Sequence, residues 1–206
     1  MSLVAHRLRT LAITNPRFES LYRKIAKPSG TEWAEMLRAR GDFYAIGDHC
    51  YIDPSALIED RPYVRLGNNV RISTCRIMGH DGAVNMINLA LGLRLDSVGK
   101  VDIRDNVYIG VGAIILPGTT IGPNAIVSAG SVVRSSVAEG DVVAGVPAKP
   151  VGRLSMSVEM LKAKNKGYPW RELIERRASE FDPALEPELI RLRVEHFYGP
   201  KSLASP

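Results

Sequence analysis

A large aliphatic residue occupies every sixth position through the middle of the chain. The uninterrupted part of this series comprises Ile103, Ile109, Ile115, Ile121, Val127 and Val133. Four positions after each of them comes a small or β-branched residue: Val107, Ala113, Thr119, Ala125, Ser131 and Val137. A helix repeats after about 3.6 residues and a strand after two, so a period of six indicates neither. It is typical of short strands separated by tight corners.

The same period extends upstream in two shorter blocks. Their aliphatic positions are Ile46, Ile52 and Ile58, followed, after two additional residues near Arg65, by Leu66, Ile72 and Met78. Residues 79–100 then break the series. Three hexads build one coil of a triangular prism, with the aliphatic side chain inside and the small residue near each corner. Stacked coils pair their strands in parallel and bury a continuous column of side chains.

The sequence therefore predicts a mainly β fold, a triangular-prism β-helix over residues 46–154 with an extended loop at residues 79–100. The general rule for strand crossovers favours a right-handed coil. The flanks lose the period of six and are predicted to be helical, as an N-terminal segment 1–45 and a C-terminal segment 155–206. These segments either cover the ends of the prism or pack between subunits.

Within the flanks, short breaks separate the helical stretches. Residues 18–40 are predicted to form one or two helices, with a break at Pro28–Gly30 and Thr31 as the cap of the second helix. The helical stretches of the C-terminal segment are residues 157–166, 170–179 and 187–198, of which the last is strongly amphipathic.

The composition is that of a soluble globular protein. The 206 residues are 45% apolar and 24% charged, which argues against a disulfide scaffold, a disordered chain and a multi-span membrane protein. No window reaches the roughly 18 apolar residues of a transmembrane segment. Because the N-terminus also lacks the apolar core of a signal peptide, we expect a cytoplasmic protein. The two cysteines, Cys50 and Cys75, are predicted to be buried thiols.

The net charge of +5 comes from the ends of the chain. Basic residues outnumber acidic ones by 8 to 4 in residues 1–45 and by 10 to 8 in residues 153–206. Residues 46–152 hold 9 bases and 10 acids. Bases interspersed with acids at helical spacing indicate solvated helix faces, so we expect no nucleic-acid partner.

The end of the repeat, residues 121–154, reads IGPNAIVSAGSVVRSSVAEGDVVAGVPAKPVGRL. This stretch resembles the hexapeptide-repeat acyltransferases, and the resemblance extends over residues 46–154, about half of the chain. It implies a left-handed parallel β-helix, opposite to the general crossover rule. It also implies acetyl-CoA as co-substrate, no metal, and a homotrimer in which each active site lies between two prisms.

The interrupting segment opens with His80-Asp81-Gly82. This motif is most similar to the sugar O-acetyltransferases of surface polysaccharide synthesis, and less closely to the galactoside and xenobiotic acetyltransferases. The resemblance implies that His80 is the general base, since neutral imidazole can accept the proton of a hydroxyl near neutral pH. Asp81 is the candidate to orient the ring, with a backbone carbonyl as the alternative. Asn85 and Asn88 either bond sugar hydroxyls or cap turns.

The resemblance further implies residues that hold the acyl donor. Val111 and Ala129 match positions that contact the pantetheine arm of coenzyme A. Arg134-Ser135 stands where the family has a Thr-Lys pair, so the charge has moved by one position. Lys149, in the G-V-P-A-K turn, and Arg153 match bases near the nucleotide phosphates, which cationic side chains recognise.

The predicted function is acetyl transfer from acetyl-CoA to a hydroxyl of a small-molecule or lipid-linked sugar, directly in a ternary complex. N-acetylation of an amino sugar and O-acetylation of a xenobiotic stay open, because each needs a base beside the thioester. A structural β-helix without activity explains the hexads but not the loop at His80. A γ-class carbonic anhydrase requires three zinc-binding histidines, and the repeat contains only His49 and His80.

Overall fold

The computed structural model describes residues 3–199. The chain divides into two compact units, one ending at Leu154 and the other beginning at Ser155. The helices are α1 (Leu3–Thr14), α2 (Glu19–Ala26), α3 (Gly30–Arg40), α4 (Ala83–Leu91), α5 (Leu154–Lys166), α6 (Arg171–Glu175) and α7 (Glu186–Tyr198). The outer ends of the two predicted helical segments, residues 1–2 and 200–206, lie outside the described residues.

Fourteen short strands lie in the described part of the first unit, residues 3–154. They are β1 (Ala45–Ile46), β2 (Tyr51–Ile52), β3 (Leu57–Ile58), β4 (Val64–Leu66), β5 (Arg71–Ile72), β6 (Arg76–Ile77), β7 (Val101–Ile103), β8 (Tyr108–Ile109), β9 (Ile114–Ile115), β10 (Thr120–Ile121), β11 (Ile126–Val127), β12 (Val132–Val133), β13 (Asp141–Gly145) and β14 (Ala148–Arg153).

The strands form three sheets that the chain visits in turn. Sheet A has the order β1-β4-β7-β10, sheet B the order β2-β5-β8-β11-β13-β14, and sheet C the order β3-β6-β9-β12. Ile109 pairs in parallel with Val127, which lies one coil later in the chain. The hairpin of β13 and β14 is antiparallel and ends sheet B. The predicted parallel β-helix is thus confirmed.

The interior of the β-helix contains the aliphatic series that the period of six predicts. From Ile103 to Val133, each of the six predicted residues is at most 1% exposed. The small residues of the second series, from Val107 to Val137, are buried as well. Thr119, one of the two polar members, donates its hydroxyl hydrogen to the carbonyl of Leu116. Apolar burial along this column is the main favourable contribution to folding of the unit.

One position in the upstream block was predicted wrongly. Ile77, and not Met78, points into the prism and pairs with Ile58 of the preceding coil. The corner between β5 and β6 is one residue shorter than the corner between β2 and β3. The interior position therefore arrives five residues after Ile72 instead of six. In a strand, a shift of one residue moves a side chain to the opposite face.

Corners absorb the other irregularities of the repeat. The two additional residues near Arg65 form a 3-10 turn at Arg61–Tyr63, which leads directly into β4. At the corner between sheets A and B, Asn69, Asn106 and Asn124 adopt left-handed backbone conformations in three successive coils. Their side chains form a ladder, because Asn69 donates to Asn106 and Asn106 donates to Asn124. Asparagine tolerates this conformation better than most residues.

The N-terminal helices share the core of the β-helix. Trp33, Met36 and Leu37 of α3 are buried in the same cluster as Ile52 of β2. Ser29, and not the predicted Thr31, caps α3, because Glu32 completes a capping box with the Ser29 backbone. Helix α1 lies in the segment predicted to be helical, but its bounds were not predicted, since exposed apolar residues such as Leu3 and Val4 obscure its amphipathic pattern.

The second unit consists of α5, α6 and α7. Its buried residues include Trp170 and Leu189. The Trp170 ring stacks on Tyr168, with 4.5 Å between ring centroids, and the His196 ring meets it edge-on. None of the helices within residues 3–199 is long and apolar enough to span a bilayer.

Candidate active site

His80 lies at the base of the segment that interrupts the coils. The chain leaves sheet C after β6 and returns to sheet A at β7. Two contacts close the base of this segment: His80 forms an antiparallel bridge with Val98, and the Gly99 N–H donates to the Gly79 carbonyl over 2.8 Å. The predicted loop contains helix α4. Its two ends are held together, so His80 has a fixed backbone position.

The imidazole of His80 is held by Asp60. The distance from His80 Nδ1 to Asp60 Oδ2 is 2.5 Å, and Asp60 also accepts from the Gly79 N–H over 3.2 Å. This hydrogen bond and the charge of Asp60 raise the pKa of His80 above its usual value. In the neutral ring, Nδ1–H donates to the carboxylate, which leaves the lone pair of Nε2 available as a base. The His80 side chain is 45% exposed, so an acceptor has access to it.

Asp81 does not make the contact that was predicted for it. Its carboxylate accepts from the Ala83 N–H over 2.9 Å, and its own N–H donates to the Ser97 carbonyl. Asp81 therefore fixes the start of α4, and Asp60 is the acidic partner of the His80 ring. Asp60 lies at the corresponding corner of the preceding coil, so comparing corners between coils is the signal that identifies it.

Asn85 and Asn88 both lie on α4. Asn85 is exposed. The amide of Asn88 donates to the Leu95 carbonyl and accepts from the Leu95 N–H, each over 2.8 Å. Asn88 thus holds the return of the segment after α4, which corresponds to the turn-capping alternative stated above.

Val111 and Ala129 lie together, but at a different edge of the prism. Both occupy the corner between sheets B and C on adjacent coils, which we call the Val111 edge. The Gly130 N–H donates to the Val111 carbonyl over 2.8 Å. A Cβ added to Gly110 would lie 2.5 Å from the backbone nitrogen of Ala129, so glycine is required for this close stacking. The Val111 side chain is exposed at this edge.

The other residues predicted to bind coenzyme A, three bases and Ser135, occupy two further places. Arg134 and Ser135 are exposed at the corner between sheets C and A, two coils beyond His80 on the same edge. We call this the His80 edge. Lys149 is exposed on β14, opposite Ala144 of β13. Arg153 pairs with Asp141 over 2.5 Å, so this carboxylate already neutralises part of its charge.

Comparison with known proteins identifies the family of the chain. The pattern described as bacterial transferase hexapeptide (six repeats) matches residues 100–135. A Schizosaccharomyces pombe protein named a putative acetyltransferase is 30% identical over 152 residues, which are 74% of this chain and 70% of that protein. The chain belongs to the hexapeptide-repeat acyltransferases. Membership accounts for the period of six in the sequence.

Other members of the hexapeptide-repeat acyltransferases match shorter stretches. An Escherichia coli protein named for O-acetyl transfer in lipopolysaccharide biosynthesis is 35% identical over 81 residues, 39% of this chain and 41% of that protein. A Staphylococcus aureus 2,3,4,5-tetrahydropyridine-2,6-dicarboxylate N-acetyltransferase is 48% identical over 59 residues, 29% of this chain and 25% of that protein. The matched relatives thus include both O- and N-acetyltransferases by name.

A solved structure shows the fold of this hexapeptide-repeat acyltransferase. It is a hexapeptide-repeat acetyltransferase of Vibrio cholerae, with a TM-score of 0.51 and 22% identity, covering 74% of this chain and 94% of that chain. The coil is therefore left-handed, as the resemblance implied and contrary to the crossover rule. Within residues 3–199, no group of three or more His, Cys, Asp or Glu is arranged to hold a metal ion.

The two cysteines are buried, as predicted. Burial raises the pKa of the Cys75 thiol to about 12 and also raises the pKa of Cys50. Thiols with raised pKa values are poor nucleophiles at neutral pH. Neither cysteine belongs to the candidate site, which is centred on His80 and Asp60.

Proposed function

We propose that this acyltransferase transfers an acetyl group from acetyl-CoA to a hydroxyl of a sugar or polysaccharide precursor, with His80 as the general base. The observation that carries the proposal is the contact of 2.5 Å between His80 Nδ1 and Asp60, which leaves Nε2 free at the exposed base of the interrupting segment. The E. coli relative named for O-acetyl transfer in lipopolysaccharide biosynthesis supports a sugar hydroxyl as the acceptor.

His80 and Asp60 have different roles in the proton transfer. Nε2 accepts the proton of the acceptor hydroxyl, and the positive charge that forms on the ring is stabilised by the carboxylate of Asp60. Acetyl-CoA, when bound, supplies the thioester carbonyl for acyl transfer and the thiolate that leaves. His80 then returns the proton to the leaving sulfur. The reaction needs no covalent intermediate with the enzyme, so it proceeds in a ternary complex.

Residues along the Val111 edge and near β14 fit a coenzyme A molecule. The exposed Val111 side chain and the tightly stacked backbone at Ala129 offer an apolar strip for the pantetheine arm. Lys149 is an exposed base suited to the phosphates. Arg134 with Ser135 lies on the His80 edge and would offer donors there, from the copy that contributes His80. Arg153 contributes less than Lys149 in this proposal, because Asp141 already accepts its hydrogen bond.

A homotrimer completes the site in this proposal. His80 lies on one edge of the prism and the donor residues Val111 and Ala129 lie on another, so a second copy is needed to bring a donor edge to His80. Helix α4 supports this, because its apolar side chains Met86 and Leu89 are 64% and 89% exposed. Exposed apolar patches commonly mark interfaces. An active species of 22.6 kDa in light scattering, the mass of one chain, would contradict the trimer.

N-acetylation is the second candidate reaction. It is favoured by the 48% identity to the S. aureus N-acetyltransferase over 59 residues. The same base would deprotonate an ammonium or amine acceptor. Product mass spectrometry with paired hydroxy and amino sugars distinguishes the two reactions by the bond formed.

Acetyl-CoA is a metabolite of the cytoplasm, which supports a cytoplasmic location in this proposal.

Coenzyme A is expected to raise the melting temperature of the full chain. A ligand that binds only the native state stabilises it by about 2.7 kcal/mol at one hundred times its Kd. Replacing Lys149 by alanine is expected to reduce the shift at equal coenzyme A concentration, because it removes a phosphate partner. Lys24→Ala, at an exposed position of α2, is the matched control. No shift at millimolar coenzyme A would favour a structural role for the β-helix instead.

Replacing Asp60 by asparagine is expected to move the acidic limb of the pH–rate profile to lower pH. Asp60 raises the pKa of His80, and only neutral His80 acts as a base, so wild-type activity falls as the pH drops through this raised pKa. Without the carboxylate, His80 stays neutral to lower pH. The plateau rate at high pH is expected to fall, because a less basic imidazole is a weaker catalyst.

The measurement for this prediction is kcat/KM against pH for the wild type and for Asp60→Asn and Asp81→Asn. Asp81 contacts the Ala83 N–H and not the ring, so its replacement is expected to shift the limb less. A larger shift in Asp81→Asn than in Asp60→Asn would reverse the assignment of the acidic partner.

A further inference from the structure

We infer that a cavity beside His80 binds a negatively charged group, a phosphate or carboxylate, on the sugar acceptor; this rests on the function proposed above. The cavity has a volume of about 590 Å³ on the outer face of sheet A. This size suits a sugar with one attached anionic group. The side chains that carry the inference are those of Tyr44, Tyr63, Arg65, Lys100, Asp102 and Arg104.

Positive charge exceeds negative charge in the lining. Arg65, Lys100 and Arg104 face the cavity together with a single acid, Asp102. Asp102 accepts two hydrogen bonds from Arg65, over 2.6 and 2.8 Å, and its Oδ2 lies 3.0 Å from Arg104 Nη2. One carboxylate neutralises one of these two guanidinium groups. The other guanidinium and Lys100 leave an excess of two positive charges for an anionic ligand.

Asp102 also fixes the two arginines in place. Its side chain is 5% exposed, so this carboxylate is held rigidly under the floor of the cavity. The Arg65 and Arg104 side chains are 37% and 47% exposed and keep N–H donors that Asp102 does not use. Guanidinium groups already held in position lose little freedom on binding, and they match phosphate and carboxylate geometry.

The cavity adjoins the catalytic residue through the backbone. Val98, in the cavity wall, is the bridge partner of His80, and the next residue, Gly99, donates to Gly79. Lys100 follows directly in the chain. A ligand in the cavity therefore lies against Val98 and Gly99, the segment that is paired with His80 and Gly79. In this proposal, its anionic group anchors a sugar whose hydroxyl is presented to the imidazole.

Two tyrosines complete the lining with apolar surface. Tyr44 and Tyr63 are 74% and 48% exposed beside the arginines. The C–H face of a pyranose packs well on an aromatic ring, and the phenol hydroxyl offers a hydrogen bond at the rim. Rings together with cations thus fit a sugar that carries charge better than they fit inorganic phosphate alone.

The test measures binding by titration calorimetry with the full chain and no acetyl-CoA. The ligands are three matched forms of glucose, galactose and N-acetylglucosamine: the 1-phosphate, the uronic acid and the neutral sugar. We expect at least one anionic form to bind roughly tenfold or more tightly than its neutral counterpart, as a charge-assisted hydrogen bond provides. Comparison of 1-phosphates with uronic acids decides between phosphate and carboxylate.

Variants connect this preference to the cavity. Lys100→Gln is expected to reduce the preference for the anionic form about tenfold, while leaving the affinity for coenzyme A unchanged. Lys164→Gln removes one exposed lysine from α5 and is the matched control. Arg104→Gln keeps the Arg65 pair with Asp102 and is expected to act like Lys100→Gln.

Three results would overturn the inference: no anionic form binds more tightly than its neutral sugar, Lys100→Gln leaves the preference intact, or Lys100→Gln weakens coenzyme A in place of the sugar. The last result would assign the cavity to the donor phosphates. If the proposed function is wrong but the inference is right, the result is different. No acetyl transfer to the sugars is then detected, while the anionic sugars still bind and their binding still depends on Lys100.

Discussion

Replacement of His80 by alanine is expected to lower kcat by about 100-fold to 10,000-fold, the range that removal of a general base produces. The KM for acetyl-CoA is expected to change little, because Val111 and Ala129, the proposed contacts of the pantetheine arm, lie on a different edge from His80. The fold is expected to survive, since the His80 side chain is 45% exposed and its bridge to Val98 uses only the backbone. Initial rates of thiol release, measured with the acceptor identified from product masses, give both constants.

A matched histidine variant controls for this experiment. His6 is exposed on α1, where alanine is a good helix former, so His6→Ala is expected to retain wild-type kinetics. An unchanged melting temperature separates loss of chemistry from loss of structure in His80→Ala. Turnover near the wild-type rate in a folded His80→Ala protein would remove His80 from its proposed role. The base would then have to be sought elsewhere along the His80 edge.

The interior of the β-helix was predictable because each coil repeats the same physical requirement. One aliphatic side chain must fill the prism at each face, so an aliphatic residue recurs in the sequence once per face. The exception, Ile77 in place of Met78, shows what periodicity omits. The length of a corner is set by local turn geometry, and a corner one residue shorter moves the next interior position without changing the composition.

The candidate site was predictable only in part, for a similar reason. The break in the repeat is a feature of the linear sequence, and the family resemblance gives the histidine at that break its candidate role. Its partner Asp60 lies one coil earlier, and the contact depends on how corners stack. Arg65 and Asp102 are likewise brought together by the register of β4 with β7, across the whole interrupting segment. Contacts of this kind depend on how the coils stack in three dimensions, so the period of six in the linear sequence does not reveal them.

Replacing Ile109 by alanine is expected to lower the free energy of unfolding of the first unit by about 2–5 kcal/mol. Ile109 is fully buried in the middle of sheet B, where β8 lies between β5 and β11. Truncation removes apolar contacts and leaves a cavity that strands paired on both sides cannot close. Urea unfolding followed by Trp33 fluorescence in a Trp170→Phe background reports on the first unit, since the chain has only 2 tryptophans.

The matched control is Leu57→Ala in β3. Leu57 is also a large aliphatic residue of a strand, but it points outward and is 50% exposed. Its loss is expected to change the free energy of unfolding by less than about 1 kcal/mol. Equal effects of the two variants would mean that the interior column does not dominate stability. A large difference between them attributes the stability of the β-helix to the residues that recur every sixth position, because the two side chains differ in direction and hardly in size.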